Sequence, residues 1–254
     1  MDRPSATPNE AVGTWTVERV AETGSTNDDL FDRGRAGAPD HLALVAAHQT
    51  AGKGRLDRRW EAPPGANLLV SLLFRAVPPT PHELVHAVAL AAANATVTTT
   101  GVAPVLKWPN DLLSPDSTSK LAGILATAGP FAGDRPTFVV VGLGLNVNWA
   151  PEGATSLAAM AGREVDVDEV LRALLTSLDR YTAMTPTQLH EAYRNRLGTL
   201  RREVIVYLPG DSTVEGRALD IEADGRLVVL DRCGVTHRFS VGDVVHVRTT
   251  NFGS

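Results

Sequence analysis

Residues 42–60 read LALVAAHQTAGKGRLDRRW, a continuous apolar run that passes directly into glycines, cations and a tryptophan. The apolar half, residues 42–47, has the length and composition of a buried strand. The glycine-cation half therefore emerges at a strand end, where a loop carried by a rigid sheet commonly does the binding. Gly52 and Gly54 let the main chain come close to a ligand, and backbone N–H groups in such turns form concave anion sites. Lys53, Arg55, Arg58 and Arg59 add formal charge, the arginines as forks matched to carboxylate or phosphate. By itself the run also fits a solvated basic loop. It is neither a Walker-type phosphate loop, lacking the closing Gly-Lys-Ser/Thr, nor a dinucleotide fingerprint, lacking the third glycine.

The whole chain has 254 residues, 43% of them hydrophobic, enough for one large domain or a medium domain with a small appendage. Its net charge of −5 argues against general affinity for nucleic acid, so the clustered cations look aimed at a small anion. Cys233 is the single cysteine, which excludes an internal disulfide and a cysteine-based metal site and fits a reducing cytoplasm. Residues 1–13 are polar, lack the apolar core of a signal peptide and are expected to be a disordered tail. Ahead of the first strand there is no room for a helix-turn-helix, so no DNA partner is expected. The alanine-rich run after Pro81 is broken by histidines, Glu83 and threonines, and no membrane partner is expected either.

Outward from the loop, residues 14–20 alternate like a strand and residues 24–31 read as a turn entering a helix. Ser25 or Thr26 is the expected N-cap, with Asp28 and Asp29 at capping-box spacing. The same helix start, with free N–H groups and short hydroxyls, also suits a polar ligand head. Residues 66–74 form a buried strand, and Pro81 opens a helix to about residue 98 as a first-turn residue. His82 and His86 share a face of that helix without a third ligand, so packing is the expectation rather than metal binding.

Residues 105–113 read VLKWPNDLL and set Lys107, Trp108, Asn110 and Asp111 at the end of an apolar strand. Burying Lys107 between Leu106 and Trp108 is costly without a compensating anion. Asp111 is a candidate magnesium-phosphate ligand. Lys120 opens an apolar strand over residues 120–126, and residues 137–148 supply its neighbour, whose Gly142 and Gly144 suggest close backbone approach. Helical segments are expected next, over residues 155–184, broken near residues 162–164, with an apolar face at Val170, Leu171, Leu174, Leu175 and Leu178. A short helix is expected over residues 186–198. Beyond residue 201 four short strands, over 204–208, 214–221, 226–230 and 241–247, are split by Pro-Gly-Asp, Ala-Asp-Gly and Arg-Cys-Gly turns, the pattern of a small all-β barrel.

Taken in order and spacing, Ser25-Thr26-Asn27, the loop from Gln49 to Trp60, Lys107-Trp108-Pro109-Asn110-Asp111, the strand opened by Lys120 and the run from Gly142 to Asn146 resemble the biotin protein ligase family across residues 15–248. The resemblance is to the short form without a DNA-binding domain. It implies an α/β (α+β) fold, with a mixed-sheet catalytic domain over residues 14–200 and a small SH3-like β-barrel over residues 201–248.

The resemblance further implies that biotin attacks the α-phosphate of Mg-ATP to give biotinyl-5′-AMP, and that a lysine of a biotin carboxyl carrier protein then takes the biotin. Lys120 and Arg55 would be the catalytic residues. Ser25, Thr26, Asn27 and Gln49 would meet the polar groups of biotin, beside Gly52, Lys53 and Gly54, with Gly123, Leu125, Gly142 and Gly144 forming the slot. Arg55 and Arg58 would hold carboxylate and phosphates, Trp60 would pack over the adenylate, Lys107, Asn110 and Asn146 would lie near the nucleotide, and Asp111 would help position Mg²⁺.

Two positions depart from the family pattern: Lys53 stands where an arginine is usual, losing the bidentate fork, and Thr127 stands where the strand after Lys120 usually has glutamate. A lipoate or octanoate ligase would need a longer apolar slot, and the polar set at Ser25, Thr26 and Gln49 favours a ureido ring instead. A non-catalytic biotin sensor would have no use for Lys120 together with Asp111.

Overall fold

The computed structural model describes residues 10–55, 58–208, 212–240 and 242–246. Its larger sheet has eight strands: β1 (Glu10–Val12), β2 (Trp15–Thr23), β3 (Leu42–Gln49), β4 (Leu68–Phe74), β5 (Val105–Lys107), β6 (Asp111–Leu113), β7 (Lys120–Ala128) and, after the small β8 (Phe131–Ala132) and β9 (Arg135–Pro136) hairpin, β10 (Val139–Leu145). They lie in the order β1-β2-β3-β4-β10-β7-β6-β5. Only β2 and β3 run parallel; every other neighbouring pair is antiparallel. The sheet is therefore mixed, as expected.

Helices cover both faces, which is why β4 is apolar at nearly every position rather than alternating. On one face lies α1 (Thr26–Arg35), whose Leu30 joins Leu42, Leu44, Leu73, Phe138 and Val140 in a small core. On the other lie α2 (His82–Thr100), the short α3 (Leu157–Ala161) and α4 (Val167–Thr182), which share the main core with β4, β7 and β10. Helix α2 is buried along most of its length, and alanine allows α4 to pack closely against it. Local signals set the helix starts. Ser25 caps α1 by accepting from the Asp28 N–H, Asp166 caps α4, and Thr185 with Gln188 forms a full capping box at α5 (Pro186–Arg196).

Beyond α5 the chain becomes a five-stranded antiparallel sheet of β11 (Glu203–Tyr207), β12 (Thr213–Ile221), β13 (Leu227–Asp231), β14 (Thr236–Phe239) and β15 (Asp243–His246), ordered β14-β13-β12-β11-β15. This is the separate all-β unit expected from the change of pattern at residue 201.

Several expectations need correction. The tail expected over residues 1–13 is structured at its end, because Glu10 to Val12 pair with β2 as an edge strand. Pro81 occupies the N-cap of α2 rather than its first turn. The strands expected over residues 66–74 and 137–148 are shorter, and β14 and the β8-β9 hairpin were not expected. The first nine residues, the turn at 209–211, Leu56, Asp57 and both ends of the strand expected over 241–247 lie outside the described residues.

The two sheets meet through a few polar contacts. Trp108 donates its indole N–H to the Gly225 carbonyl (3.0 Å) and its backbone N–H to the Thr199 hydroxyl (3.0 Å). That hydroxyl lies 3.2 Å from His246 Nε2, and His82 Nε2 lies 3.2 Å from the Ala223 carbonyl. Burial holds these histidines neutral. It lowers His246 from its ordinary 6.5 to about 4, helped by the charges of Arg202 and Lys107. It lowers His82 as well, and drives His86, stacked 3.7 Å from the Tyr193 ring, well below the usual range.

The native state thus binds fewer protons than the unfolded chain, so this stabilisation is complete above pH 6.5 and is lost as pH falls towards 4. Replacing His246 by glutamine, which cannot titrate, is expected to flatten the decline in urea-denaturation stability between those two values. A slope equal to that of the unaltered protein would show that His246 is not a source of it.

Candidate active site

Strand β3 ends at Gln49, and the glycine-cation loop turns back over the sheet. The Trp60 N–H donates to the Gly52 carbonyl (2.9 Å), the Gly54 N–H to the Arg58 carbonyl (2.7 Å), and Arg59 Nη2 to the Thr50 carbonyl (2.8 Å). Glycine is required at position 52 because a Cβ there would strike the Trp60 carbonyl. The turn drops the Trp60 indole onto Gly123 of β7 and Gly144 of β10, which are directly paired across the two strands. A Cβ on Gly144 would collide with the indole, and one on Gly123 would stand 3.2 Å from both the indole and Lys120 Nζ. The paired glycines thus leave a patch of the sheet without side chains of its own, on which the indole rests, within a cavity of about 460 Å³.

One end of the cavity is built from short polar side chains. Gln49 Oε1 accepts from the Thr26 backbone N–H (2.7 Å) and from the Thr26 hydroxyl (3.0 Å). Asn27 Nδ2 donates to the Leu125 carbonyl (3.1 Å), and a Cβ on Gly142 would sit 3.1 Å from that same nitrogen. Ser25, which caps α1, completes this end.

The other end is cationic. Lys120 Nζ lies 2.7 Å from Asp111 Oδ1 and 5.7 Å from the centre of the Trp60 ring, while Lys107 Nζ approaches Asp111 from the other side at 3.7 Å. Arg55 donates to Asn110 Oδ1 (2.9 Å) and, across to the C-terminal unit, to the Gly242 carbonyl (3.1 Å). Arg58 pairs with Asp243 at 2.5 Å. Burial lowers the Arg55 guanidinium from its ordinary value, opposed by the charges of Asp243 and Asp111, without discharging it. For Asp243, burial pushes the carboxyl up, but the Arg58 hydrogen bond and the charges of Arg58, Lys107 and Arg55 bring it below its ordinary value. Lys53 is turned towards α1, 2.7 Å from Asp28.

Apart from two, the residues expected to form the site line this cavity. Gly52 shapes the turn without lining it, and Lys107 stands behind Asp111. Asn146 lines it with its amide already engaged, accepting from Asn67 (3.2 Å) and donating to the Thr155 carbonyl (3.0 Å). Thr127, opposite Val140 in the sheet, is outside the lining, and nothing in the structure explains its departure from the family pattern. Among the lining residues that were missed are Ser71 and Asp243. Ser71 gives the one polar side chain in β4, a signal that was legible; Asp243 comes from the C-terminal unit, 185 residues from Arg58, and has no local signal.

The description of the Biotin/lipoate A/B protein ligase family matches residues 20–146, and that of the Biotin protein ligase C terminal domain matches residues 199–247. A Biotin--[acetyl-CoA-carboxylase] ligase of Mycobacterium tuberculosis is 41% identical over 250 residues, which covers 91% of this chain and 89% of the relative. This chain belongs to the biotin/lipoate A/B protein ligase family. Another relative in the family, a Bifunctional ligase/repressor BirA of Bacillus subtilis, is 32% identical and covers 85% of this chain and 70% of its own. The family fold is seen in the biotin protein ligase from Aquifex aeolicus in complex with biotin and ATP, with a TM-score of 0.73 at 24% identity over 92% of this chain and 99% of that one.

Within this ligase fold, Asp111 separates two lysines, and its side chain and that of Lys107 are only 13% and 16% exposed. Removing one partner of a buried ion cluster leaves the others uncompensated. Asp111→Ala is expected to lower the unfolding free energy by about 3 kcal/mol. Adding Lys107→Met should restore part of that loss, as chemical denaturation of the two variants would reveal.

Proposed function

We propose that this chain is a biotin protein ligase that activates biotin with ATP and transfers it to a lysine of a biotin carboxyl carrier protein. The observation that carries this reading is one slot with two chemically opposite ends. Short hydroxyls and amides at Thr26, Asn27 and Gln49 suit a small polar ring, and Lys120, Arg55 and Arg58 stand at the other end. An apolar acyl chain without a polar ring would leave the buried Asn27 Oδ1, which has no partner among the described residues, unsatisfied, which disfavours lipoate or octanoate. A non-catalytic sensor would not need a cation cluster around Asp111. The catalytic domain is assigned to the chain before residue 201, with β1 as its edge strand, and the SH3-like barrel to residues 201–248. The reducing cytoplasm suits both the carrier-protein substrate and the free, exposed Cys233.

Both reactants of the first step are anions, and fixed cations remove the repulsion between them without reorganising at the moment of reaction. A biotin carboxylate oxygen attacks the α-phosphorus, the bond to the leaving pyrophosphate breaks, and Lys120 stabilises the charge that develops between the two groups. Arg55 and Arg58 then retain the mixed anhydride, Trp60 packs over it, and Asn110 and Asn146 lie beside the nucleotide. In the second step the acceptor amine attacks the anhydride carbonyl and AMP departs with the bonding pair.

Among the described residues no group of three or more His, Cys, Asp or Glu side chains is arranged to hold a metal. Asp111 offers one carboxylate, which fits an Mg²⁺ ion arriving on the nucleotide, since that ion is commonly held by one or two carboxylates plus substrate phosphates. When bound, the ion would neutralise phosphate charge.

Pyrophosphate release with Mg-ATP and either biotin, lipoate or octanoate, without an acceptor protein, tests the reading. Release with biotin alone, stalling near one equivalent per enzyme, is expected. Release with lipoate or octanoate, or with none of the three, would overturn it. Lys120→Ala is expected to slow the biotin-dependent release at least about a hundredfold, or about 2.7 kcal/mol; near-normal release would remove Lys120 from that role. Arg55→Gly is expected to let the adenylate escape, so that bystander proteins become biotinylated at a rate above background. Background labelling while adenylate still forms would show that Arg55 does not retain it.

A further inference from the structure

Ser71 is fully buried at the centre of β4, where every other residue from Leu68 to Phe74 is apolar. A hydroxyl in that setting needs a partner. Its partner is the Thr26 hydroxyl, at 2.8 Å, and Ser71 itself lines the polar end of the cavity. The direction of that bond is set by the groups beyond it. Gln49 is oriented by the Thr26 backbone N–H, which can donate only to the amide oxygen, 2.7 Å away. The same oxygen lies 3.0 Å from the Thr26 hydroxyl, so Thr26 spends its single hydroxyl proton on Gln49. Thr26 can then only accept from Ser71, and the Ser71 proton points at Thr26.

The consequence is a fixed polarity around the slot. Ser71 Oγ retains a free lone pair beside Gly142, whose Cβ position lies 3.4 Å from it. Asn27 has its Nδ2 committed to the Leu125 carbonyl, and its buried Oδ1 has no partner among the described residues. Across the slot Gln49, whose oxygen is committed to Thr26, turns its Nε2 towards the loop, 3.1 Å from the Cβ position of Gly52. Acceptors thus stand on the strand side and a donor on the loop side. A ring presenting N–H groups to the first and a carbonyl to the second satisfies all of them.

We infer that Ser71 is a specificity-determining residue of the slot: with its proton committed to Thr26, its Oγ lone pair joins Asn27 Oδ1 in an acceptor surface for the N–H groups of a cyclic urea. This rests on the biotin-ligase reading. Without the Ser71 hydroxyl the slot loses one of its acceptors and the Thr26 oxygen loses its donor, while Gln49 keeps the orientation set by the Thr26 backbone N–H. The nucleotide end, built on other strands and on the loop, is not part of this chain of hydrogen bonds.

The test uses the full chain with Ser71→Ala, smaller by one atom and therefore without overpacking, and with Ser71→Thr, which keeps the hydroxyl. Biotin binding is measured by titration calorimetry, and KM and kcat for biotin and for ATP by pyrophosphate release. Desthiobiotin, which keeps the cyclic urea and lacks the ring sulfur, serves as a second ligand. For Ser71→Ala the expected result is a roughly tenfold weaker Kd for both biotin and desthiobiotin, corresponding to about 1.4 kcal/mol. The KM for ATP should hold, kcat should stay within about twofold, and Ser71→Thr should recover most of the affinity, a pattern that loss of packing would not produce. An unchanged Kd in Ser71→Ala would overturn the inference. So would a joint loss in ATP KM, kcat and thermal stability, which marks a merely structural residue. If the unaltered chain neither binds biotin nor releases pyrophosphate with it, the ligase reading fails and takes this inference with it. If the unaltered chain does both, only the role of Ser71 is in question.

Discussion

Like charges brought to one cavity repel, and the whole site depends on how that repulsion is held down before an anion arrives. Asp111 carries the most of it. Lying between Lys107 and Lys120, it makes a three-charge cluster whose members come from two hairpin strands and the start of a third. The loop cations are matched one by one in the same way, Lys53 to Asp28, Arg55 to Asn110 and Gly242, Arg58 to Asp243, and Arg59 to a backbone carbonyl. The exposed pairs among these contribute little to stability; their effect is to hold donors in place. An entering phosphate or carboxylate therefore exchanges one set of acceptors for another, and affinity is the difference between two well-satisfied arrangements rather than the gross attraction.

Sheet register supplies the geometry on which those charges act. Because β7 and β10 pair with Gly123 opposite Gly144, two missing side chains fall at the same level and open a flat patch no single glycine could provide. Gly142, two residues earlier on β10 and so on the same face, extends the patch towards Asn27 and Ser71. A slip of one residue between the strands would turn those glycines away and put Leu143 into the space. The flanking helices, with α1 on one face and α2 and α4 on the other, hold the register because each buries an apolar face of the sheet.

Most of this was legible in the sequence, for reasons that differ by element. Strands β3, β4, β7 and β10 are continuous apolar runs bounded by turn residues, and the glycine-cation loop announces itself by composition. Short β1 and β14 carry too few apolar positions to show a period; β14 buries only Phe239. Ser71 stood out as the one polar residue of an apolar strand, but its partner on α1 and its place on the slot come only from the folded structure. Asp243 was out of reach in principle, since its role comes from a contact between two separately folded sheets. The polarity of the hydroxyl chain at Ser71, Thr26 and Gln49 is likewise a property of three elements, set by one backbone N–H that sequence reading does not orient.

The pairing of Arg58 with Asp243, and of Arg55 with the Gly242 carbonyl, means that the loop over the slot and the C-terminal sheet share hydrogen-bond donors. Any anion that draws those guanidinium groups away competes with the second sheet for them. Thermodynamic reciprocity then applies: whatever such an anion does to the strength of the inter-sheet contact, the contact does in equal measure to the affinity for the anion. The C-terminal sheet is in that sense a built-in competitor for two arginines of the cavity.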